Sequence, residues 1–222
     1  MDLSCEEKFQ LKAYGPLAWL VSVGLQSSGG DWLYRLARAA DENPPERLQE
    51  CVLGFDTFLL VFREEVSQEF VEEWLLKIEW GVDEVSGDSR LIEFPVTYGG
   101  ADLEALAEAK EMLVEEVVRR HSDAEYRVRL LGFSPGFPYL DGLDEALCMA
   151  RKDIPVPRIE AGAVAIGGSH AGIYSIASPG GWHVLGRTSS ALFDPEFGRG
   201  ETGKWKDAFA LKPGDRVRFL PV

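Results

Sequence analysis

Cysteine, histidine, positive charge and long apolar runs are all scarce in this chain. Its three cysteines, Cys5, Cys51 and Cys148, lie far apart and form no C-x-x-C pair. That spacing suggests neither a disulfide framework nor a zinc site. The three histidines, His121, His170 and His183, have no i, i+4 or other close ligand spacing, so no metal is expected. No apolar stretch is long enough to span a bilayer. Met1 to Glu7 is acidic and lacks the basic-then-apolar layout of a signal peptide, so a cytoplasmic location is expected. Lys and Arg number 23 against 37 Asp and Glu, a formal net charge of −14. An acidic surface of that size repels phosphate backbones and argues against non-specific nucleic-acid binding.

Glycine and proline, in contrast, are dense between Leu130 and Thr188, with short β-branched and aromatic runs between them. That mixture reads as short strands joined by tight turns. The length, 222 residues, fits one large or two small domains. The N-terminal part reads as a strand over Ala18–Gly24 and a helix over Trp32–Ala40 capped by Asp31. Strands at Leu48–Leu53 and Phe58–Arg63 follow, then a helix after Ser67 with Phe70, Val71, Trp74, Leu75 and Ile78 at helical spacing. Strand, helix, hairpin and helix in that order predict a small α+β domain of split-βαβ type over residues 1–88. The polar run Asp83 to Arg90 marks the boundary. The second domain, residues 89–222, opens with a strand at Leu91–Tyr98, whose Pro95 is best tolerated at an edge. Asp102 is placed to cap a short helix, and a second helix runs over Leu113–His121. Tyr126, Val128 and Leu130 alternate as in a strand, and the rest is mainly β, closing with Arg216–Leu220. Many strands after two helices suggest a closed or nearly closed barrel.

Two motif-like strings fail on chemistry. Gly132-Phe133-Ser134-Pro135-Gly136 has the letters of a nucleophile elbow, but Pro135 has no N–H for an oxyanion hole. It reads as a rigid turn. Gly198 to Lys204 resembles a phosphate loop, but Trp205 stands where a magnesium-binding hydroxyl belongs. It reads as an exposed loop. Arg187 follows a glycine in a low-charge stretch, so its guanidinium needs a partner. A carboxylate or phosphate of a ligand suits it; Asp194 or Asp215 would be the internal alternative. Arg158, after Pro155-Val156-Pro157, is similar, with the internal ion pair preferred. Gly167, Gly168, Gly180 and Gly181 either admit a ligand to the backbone or make tight turns. Trp182 either walls a pocket or sits in the core. His121 and His170 are the candidates for a general base, by titration range alone.

Several separate strings, in order, resemble one family. They are Gly132-Phe133-Ser134-Pro135-Gly136-Phe137-Pro138-Tyr139-Leu140, Ala161-Gly162-Ala163-Val164-Ala165-Ile166-Gly167-Gly168, Gly172-Ile173-Tyr174, and Ser178-Pro179-Gly180-Gly181-Trp182-His183-Val184-Leu185-Gly186-Arg187-Thr188. Leu192-Phe193-Asp194-Pro195 and Pro213-Gly214-Asp215-Arg216-Val217-Arg218-Phe219 extend them. The family is KipI/PxpB, also called the 5-oxoprolinase B subunit, allophanate hydrolase subunit one, or carboxyltransferase domain C and D. The resemblance holds from about Phe94 onward and implies a cyclophilin-like barrel. It implies a subunit of an ATP-dependent 5-oxoprolinase, a lactam or amide hydrolase working with a PxpC/KipA-like partner and a PxpA-like subunit. It also implies a binding cleft around the Gly167-Gly168 and Gly180-Gly181 segments, and it matches His121-Ser122 to the family's His-Ser pair. The alternatives within the resemblance are a regulator that inhibits a sensor histidine kinase, favoured by an exposed apolar surface at Phe133, Phe137 and Tyr139, and a non-catalytic assembly module. The chain departs from the family at Ile159-Glu160-Ala161-Gly162-Ala163, where Val-Pro-Ala-Gly-Ser is usual, and at His170-Ala171, where Gln-Thr is usual.

Overall fold

A computed structural model describes residues 9–23, 35–36, 39–40, 42–78, 89–196 and 208–222. It divides into two compact units, Met1–Asp88 and Ser89–Val222. The phosphate-loop-like string at Gly198–Lys204 lies outside the described residues, as does most of the helix expected over Trp32–Ala40. No helix among the described residues is long and apolar enough to cross a membrane.

The first unit is an antiparallel sheet of β1 (Phe9–Ala13), β2 (Ala18–Val23), β3 (Leu48–Leu53) and β4 (Thr57–Phe62), in the order β1-β2-β4-β3. β1 is a strand the sequence pattern does not separate from β2; the two pair as a hairpin, Ala13 opposite Trp19. β2 and β3 both run antiparallel to the β4 between them. Helix α1 (Gln68–Lys77) starts where Ser67 Oγ accepts the Phe70 N–H, leaving one fewer amide unpaired at the helix start. It ends at Lys77. Phe58, Leu60 and Phe62 of β4 point to one side by period-two alternation. They are buried with Val71, Trp74 and Leu75 of α1, and with Leu36 and Ala40.

The second unit is a seven-stranded closed barrel. Its strands are β5 (Leu91–Tyr98), β6 (Tyr126–Leu131), β7 (Pro138–Asp141), β9 (Ala163–Gly167), β10 (His170–Ile173), β12 (His183–Arg187) and β13 (Arg216–Pro221). Around the barrel the order is β10-β7-β6-β13-β5-β12-β9, and β9 pairs back to β10. Every pairing is antiparallel except β5 with β13. β8 (Val156–Ile159) and β11 (Ser178–Gly180) form a separate two-stranded ribbon. Helices α2 (Leu103–Ala109) and α3 (Val114–Asp123) join β5 to β6.

The barrel interior follows strand alternation. Phe94 and Val96 of β5, Tyr126 and Val128 of β6, and Val217 and Phe219 of β13 are buried together with Val117 of α3. β9 is buried on both faces. Its Val164 and Ile166 join this core, while Ala163 and Ala165 face a second cluster of Phe137, Tyr174 and Trp182. Two alanines on the aromatic side leave room for those rings, which is why the run reads Ala-Val-Ala-Ile. Pro95 lies inside a closed barrel, not on a free edge. Along β5, β12 pairs only with Thr97 and Tyr98, so Pro95 has β13 alone beside it and the ladder is locally open. The Gly132–Phe137 segment is a turn leaving β6, with the Gly132 N–H donating to Phe137 O and no helix following.

Candidate functional site

The turn after β5 is drawn tightly onto β12. The Gly99 and Gly100 N–H groups both donate to Leu185 O, at 3.2 and 2.9 Å. A Cβ at Gly100 would collide with the Val184 carbonyl oxygen, so only glycine allows this approach. Beside this junction lies an open cavity of about 840 Å³ within the second unit. Its wall includes Thr97, Tyr98, the Gly99–Asp102 turn, Lys152, Arg158, Glu160, Arg187, Thr188 and Ser189.

Arg187 is exposed in this wall. Its guanidinium has no hydrogen bond or ion pair to a described residue, though its charge reaches Glu160 at longer range. Both internal acids considered for it are engaged elsewhere. Asp215 is fully buried and bound by Arg90, and Asp194 Oδ1 accepts the Glu196 N–H. A guanidinium so placed on a cavity wall is suited to a carboxylate or phosphate. Arg158 also lines the cavity but is tied to Glu160 at 2.7 Å, with both side chains largely exposed. That guanidinium holds the Glu160 carboxyl below the usual range.

Asp102 is the site residue that sequence reasoning passed over. Its place before α2 marks it as a helix cap, yet its side chain makes no capping bond. It turns instead to Lys152, with Nζ 2.7 Å from Oδ1, and accepts the Val184 N–H at 2.8 Å on Oδ2. Asp102 and Lys152 are 16% and 23% exposed, so this is a half-buried pair on the cavity wall. The sole sequence signal was an acid directly after Gly-Gly-Ala. Nothing near it in the chain points to Lys152 fifty residues on.

The other expected residues fall in different places. His121 does not line the cavity and is fully buried, stacked on Phe219 at 4.7 Å. Its Nδ1 lies 2.7 Å from the hydroxyl of Tyr98, which does line it. Burial lowers the His121 imidazole to about 3 and raises the phenol of Tyr98, so both are neutral at ordinary pH. A neutral, enclosed imidazole with no access to the cavity is poorly placed to take a proton from a ligand there. His170 stands apart from the cavity on β10, with Nδ1 3.0 Å from Asp141 Oδ1. Burial pushes the Asp141 carboxyl up, but His170 and Arg129 together more than offset that and hold it below the usual range. Gly167, Gly168, Gly180, Gly181 and Trp182 are not among the lining residues. Gly167 lies under the Trp182 ring, where a Cβ would be 2.7 Å from ring carbons. Gly180 abuts the Tyr174 hydroxyl, and Gly181 faces the Lys152 carbonyl. Gly168 takes the left-handed position (φ 65°) in the two-residue turn between β9 and β10. Trp182 is buried against Phe137, Tyr139 and Arg151. Among the described residues, no three His, Cys, Asp or Glu side chains gather to hold a metal.

The second unit is thus a closed barrel with an open cavity on one wall, which carries Lys152, Arg158 and Arg187 together with Asp102 and Glu160. Residues 9–200 match the family described as carboxyltransferase domain, subdomain C and D, and the chain belongs to that family. It is 39% identical to the 5-oxoprolinase B subunit of Escherichia coli O157:H7 over 195 residues, covering 85% of this chain and 84% of the relative. It is 32% identical to the protein of that name from Bacillus subtilis (strain 168) over 236 residues, covering 97% and 93%. The crystal structure of TTHA0988 superposes with a TM-score of 0.77 at 34% identity, covering 92% of this chain. The present chain spans only 40% of that longer protein.

Proposed function

We propose that this chain is a subunit of an ATP-dependent 5-oxoprolinase, opening a five-membered lactam together with a PxpC/KipA-like partner and a PxpA-like subunit in the cytoplasm. The names of the relatives support a subunit of such a complex. The observation that carries the site is Arg187, a guanidinium in the wall of an open cavity with no ion-pair partner among the described residues. 5-Oxoproline presents one carboxylate, which Arg187 would hold bidentately, while Lys152 and Thr188 supply further polar contacts. The cavity's 840 Å³ is the size of a drug-sized ligand's pocket and exceeds what one small lactam fills. The remaining space suits a segment of a partner, and a homologous region occurring inside a longer chain fits that reading. In this reading the barrel is cyclophilin-like and the first unit is of split-βαβ type.

ATP does not fit this cavity as a phosphate cradle. The Gly99 and Gly100 amides are already committed to Leu185 O, so they offer no N–H groups to phosphate oxygens. In this reading ATP is bound by the partner subunits.

The regulatory reading needs an exposed aromatic surface at Phe133, Phe137 and Tyr139. Only Phe133 is exposed, at 63%; Phe137 is buried and Tyr139 half-buried. The patch reduces to one side chain and gives docking on a sensor histidine kinase little support.

The test is co-expression with the two partner types and measurement of 5-oxoproline-dependent ATP hydrolysis. Turnover with the wild type, and at least a hundredfold loss of kcat/KM in Arg187→Ala (a charge-assisted bidentate contact), is the expected result. Full activity in that variant would remove Arg187 from the site. No turnover with the complete set, across related lactams, would refute the enzyme reading.

A further inference from the structure

The barrel leaves a stretch of backbone edge over along β5. In a strand the N–H and C=O of one residue point to one side and those of the next residue to the other. The Arg216 N–H donates to Arg90 O and the Val222 N–H to Val96 O, so the even-numbered residues of β5 face β13. The odd-numbered ones face β12. Thr97 is paired there with Arg187, and Gly99, next in that series, donates to Leu185 O. Toward the start of β5 the series runs on through Pro95, Glu93 and Leu91, and there the pairing stops. Pro95 explains the stop. The next bonded pair would set it against Ser189, and it has no N–H to give. The Thr188 N–H donates instead to Gly162 O, which draws the chain after β12 toward the start of β9. The N–H and C=O of Leu91 and Glu93 and the C=O of Pro95 are thus without a backbone partner among the described residues. All three residues are exposed. The cavity opens at one end of this edge, where Pro95, Thr97, Thr188 and Ser189 all belong to its wall.

We propose that this edge is a docking strand: an extended segment of the PxpC/KipA-like partner adds to β5 along Leu91–Pro95 and so arrives at the cavity wall that carries Arg187. The partner's identity rests on the assembly proposed above; the open edge does not. Open sheet edges invite pairing, and main-chain bonds supply most of the affinity when a strand is added to one. A second copy of this chain is a poor occupant, because antiparallel pairing of two such edges centred on Glu93 sets carboxylate against carboxylate. A partner strand with Lys or Arg at that position meets Glu93 with the opposite charge. Leu91 and Glu93 each offer a donor and an acceptor, while Pro95 offers an acceptor alone. The added strand is therefore held at Leu91 and Glu93 and released from the ladder where the cavity begins.

Amide hydrogen exchange on the ¹⁵N-labelled full chain reads the edge directly. In the free chain Ile92, Phe94 and Val96 should be protected, and Leu91 and Glu93 should exchange at least about tenfold faster. Saturation with the purified PxpC/KipA-like partner should slow Leu91 and Glu93 by at least about tenfold. Equal protection of all five amides in the free chain would refute the open edge. Glu93→Pro removes one edge donor and no bond to β13. It should fold with a Tm near that of the wild type, yet bind the partner about tenfold or more weakly by calorimetry. Glu93→Ala, which keeps the N–H, should lose less. A Glu93→Pro chain that fails to fold, or that binds like the wild type, overturns the proposal. If the partner binds and neither amide slows, the docking strand is refuted and the subunit reading stands. If the partner does not bind at all, both fail.

Discussion

The burial of His121 makes the barrel acid-labile in a pH range where carboxylates are still ionised. In the folded chain the imidazole stays neutral down to about pH 3, against an ordinary value of 6.5. Between those two values the unfolded chain binds a proton that the folded chain refuses, so stability falls as the pH drops through 6.5 and keeps falling to about 3. At pH 5, 1.5 pH units below the ordinary value, the loss is about 2 kcal/mol at 1.36 kcal/mol per unit. For a domain of this size that is roughly 5–10 °C in Tm. Asp141, Asp144 and Glu160 are held below their ordinary values of 3.8, 3.8 and 4.5, so their stabilisation is lost only as the pH falls below about 4.5. The range from pH 8 to 5 therefore isolates the histidines. Thermal or urea unfolding followed across it, in wild type and in His121→Phe, subtracts whatever His170 and His183 contribute. The phenylalanine keeps an aromatic ring on Phe219 and cannot titrate. Its baseline stability is lower because Tyr98 loses a partner, but its pH dependence should be flatter by about 2 kcal/mol at pH 5. Parallel slopes for the two proteins would show that this imidazole is not sealed in the core.

Two further outcomes follow from the packing. Gly167→Ala places a methyl 2.7 Å from the Trp182 ring and should cost about 1–3 kcal/mol by overpacking, seen as a lower Tm and an altered near-UV spectrum. An unchanged melt would mean that Trp182 does not rest on β9. Asp102→Ala strands Lys152 and removes the acceptor of the Val184 N–H. Full burial would make this a loss of about 3–5 kcal/mol; partial exposure of both side chains reduces it to about 1–3 kcal/mol. The loss should appear in amide exchange at Val184 and not at the start of α2, since no capping bond is broken there.

Elements were readable wherever one residue and its near neighbours carry the signal. Ser67 begins a helix because a hydroxyl three residues before an amide can meet it, and Tyr126, Val128 and Leu130 mark a strand because alternate side chains face one core. β1 was not separable, because Phe9–Ala13 carries one buried side chain and four that are partly or fully exposed, too little alternation to stand out from its hairpin partner. Pro95 pointed to an edge strand; the barrel satisfies it with a local gap in the ladder, a feature that exists only once β12 has chosen its register.

The candidate site divides along the same line. Glycine in a sequence announces that something comes close, but not what. At Gly167 and Gly180 the close neighbour is an aromatic side chain of the protein's own second core, and at Gly100 it is the backbone of β12. Only the last of these shapes the cavity. Arg187 stands out in the sequence as a cation in a low-charge stretch, and the structure sets it exposed on the cavity wall. Asp102 was not legible, because its two partners lie 50 and 82 positions away in the chain and its nearer role, as a cap, was the one its position advertised. The side chain left that role because Lys152 offers an ion pair and the Val184 amide a second bond to the carboxylate, whereas a cap offers an amide alone. An acid that gives up its helix to hold a lysine at a cavity wall is there for the wall, and substitution at Asp102 should be felt first in the cavity.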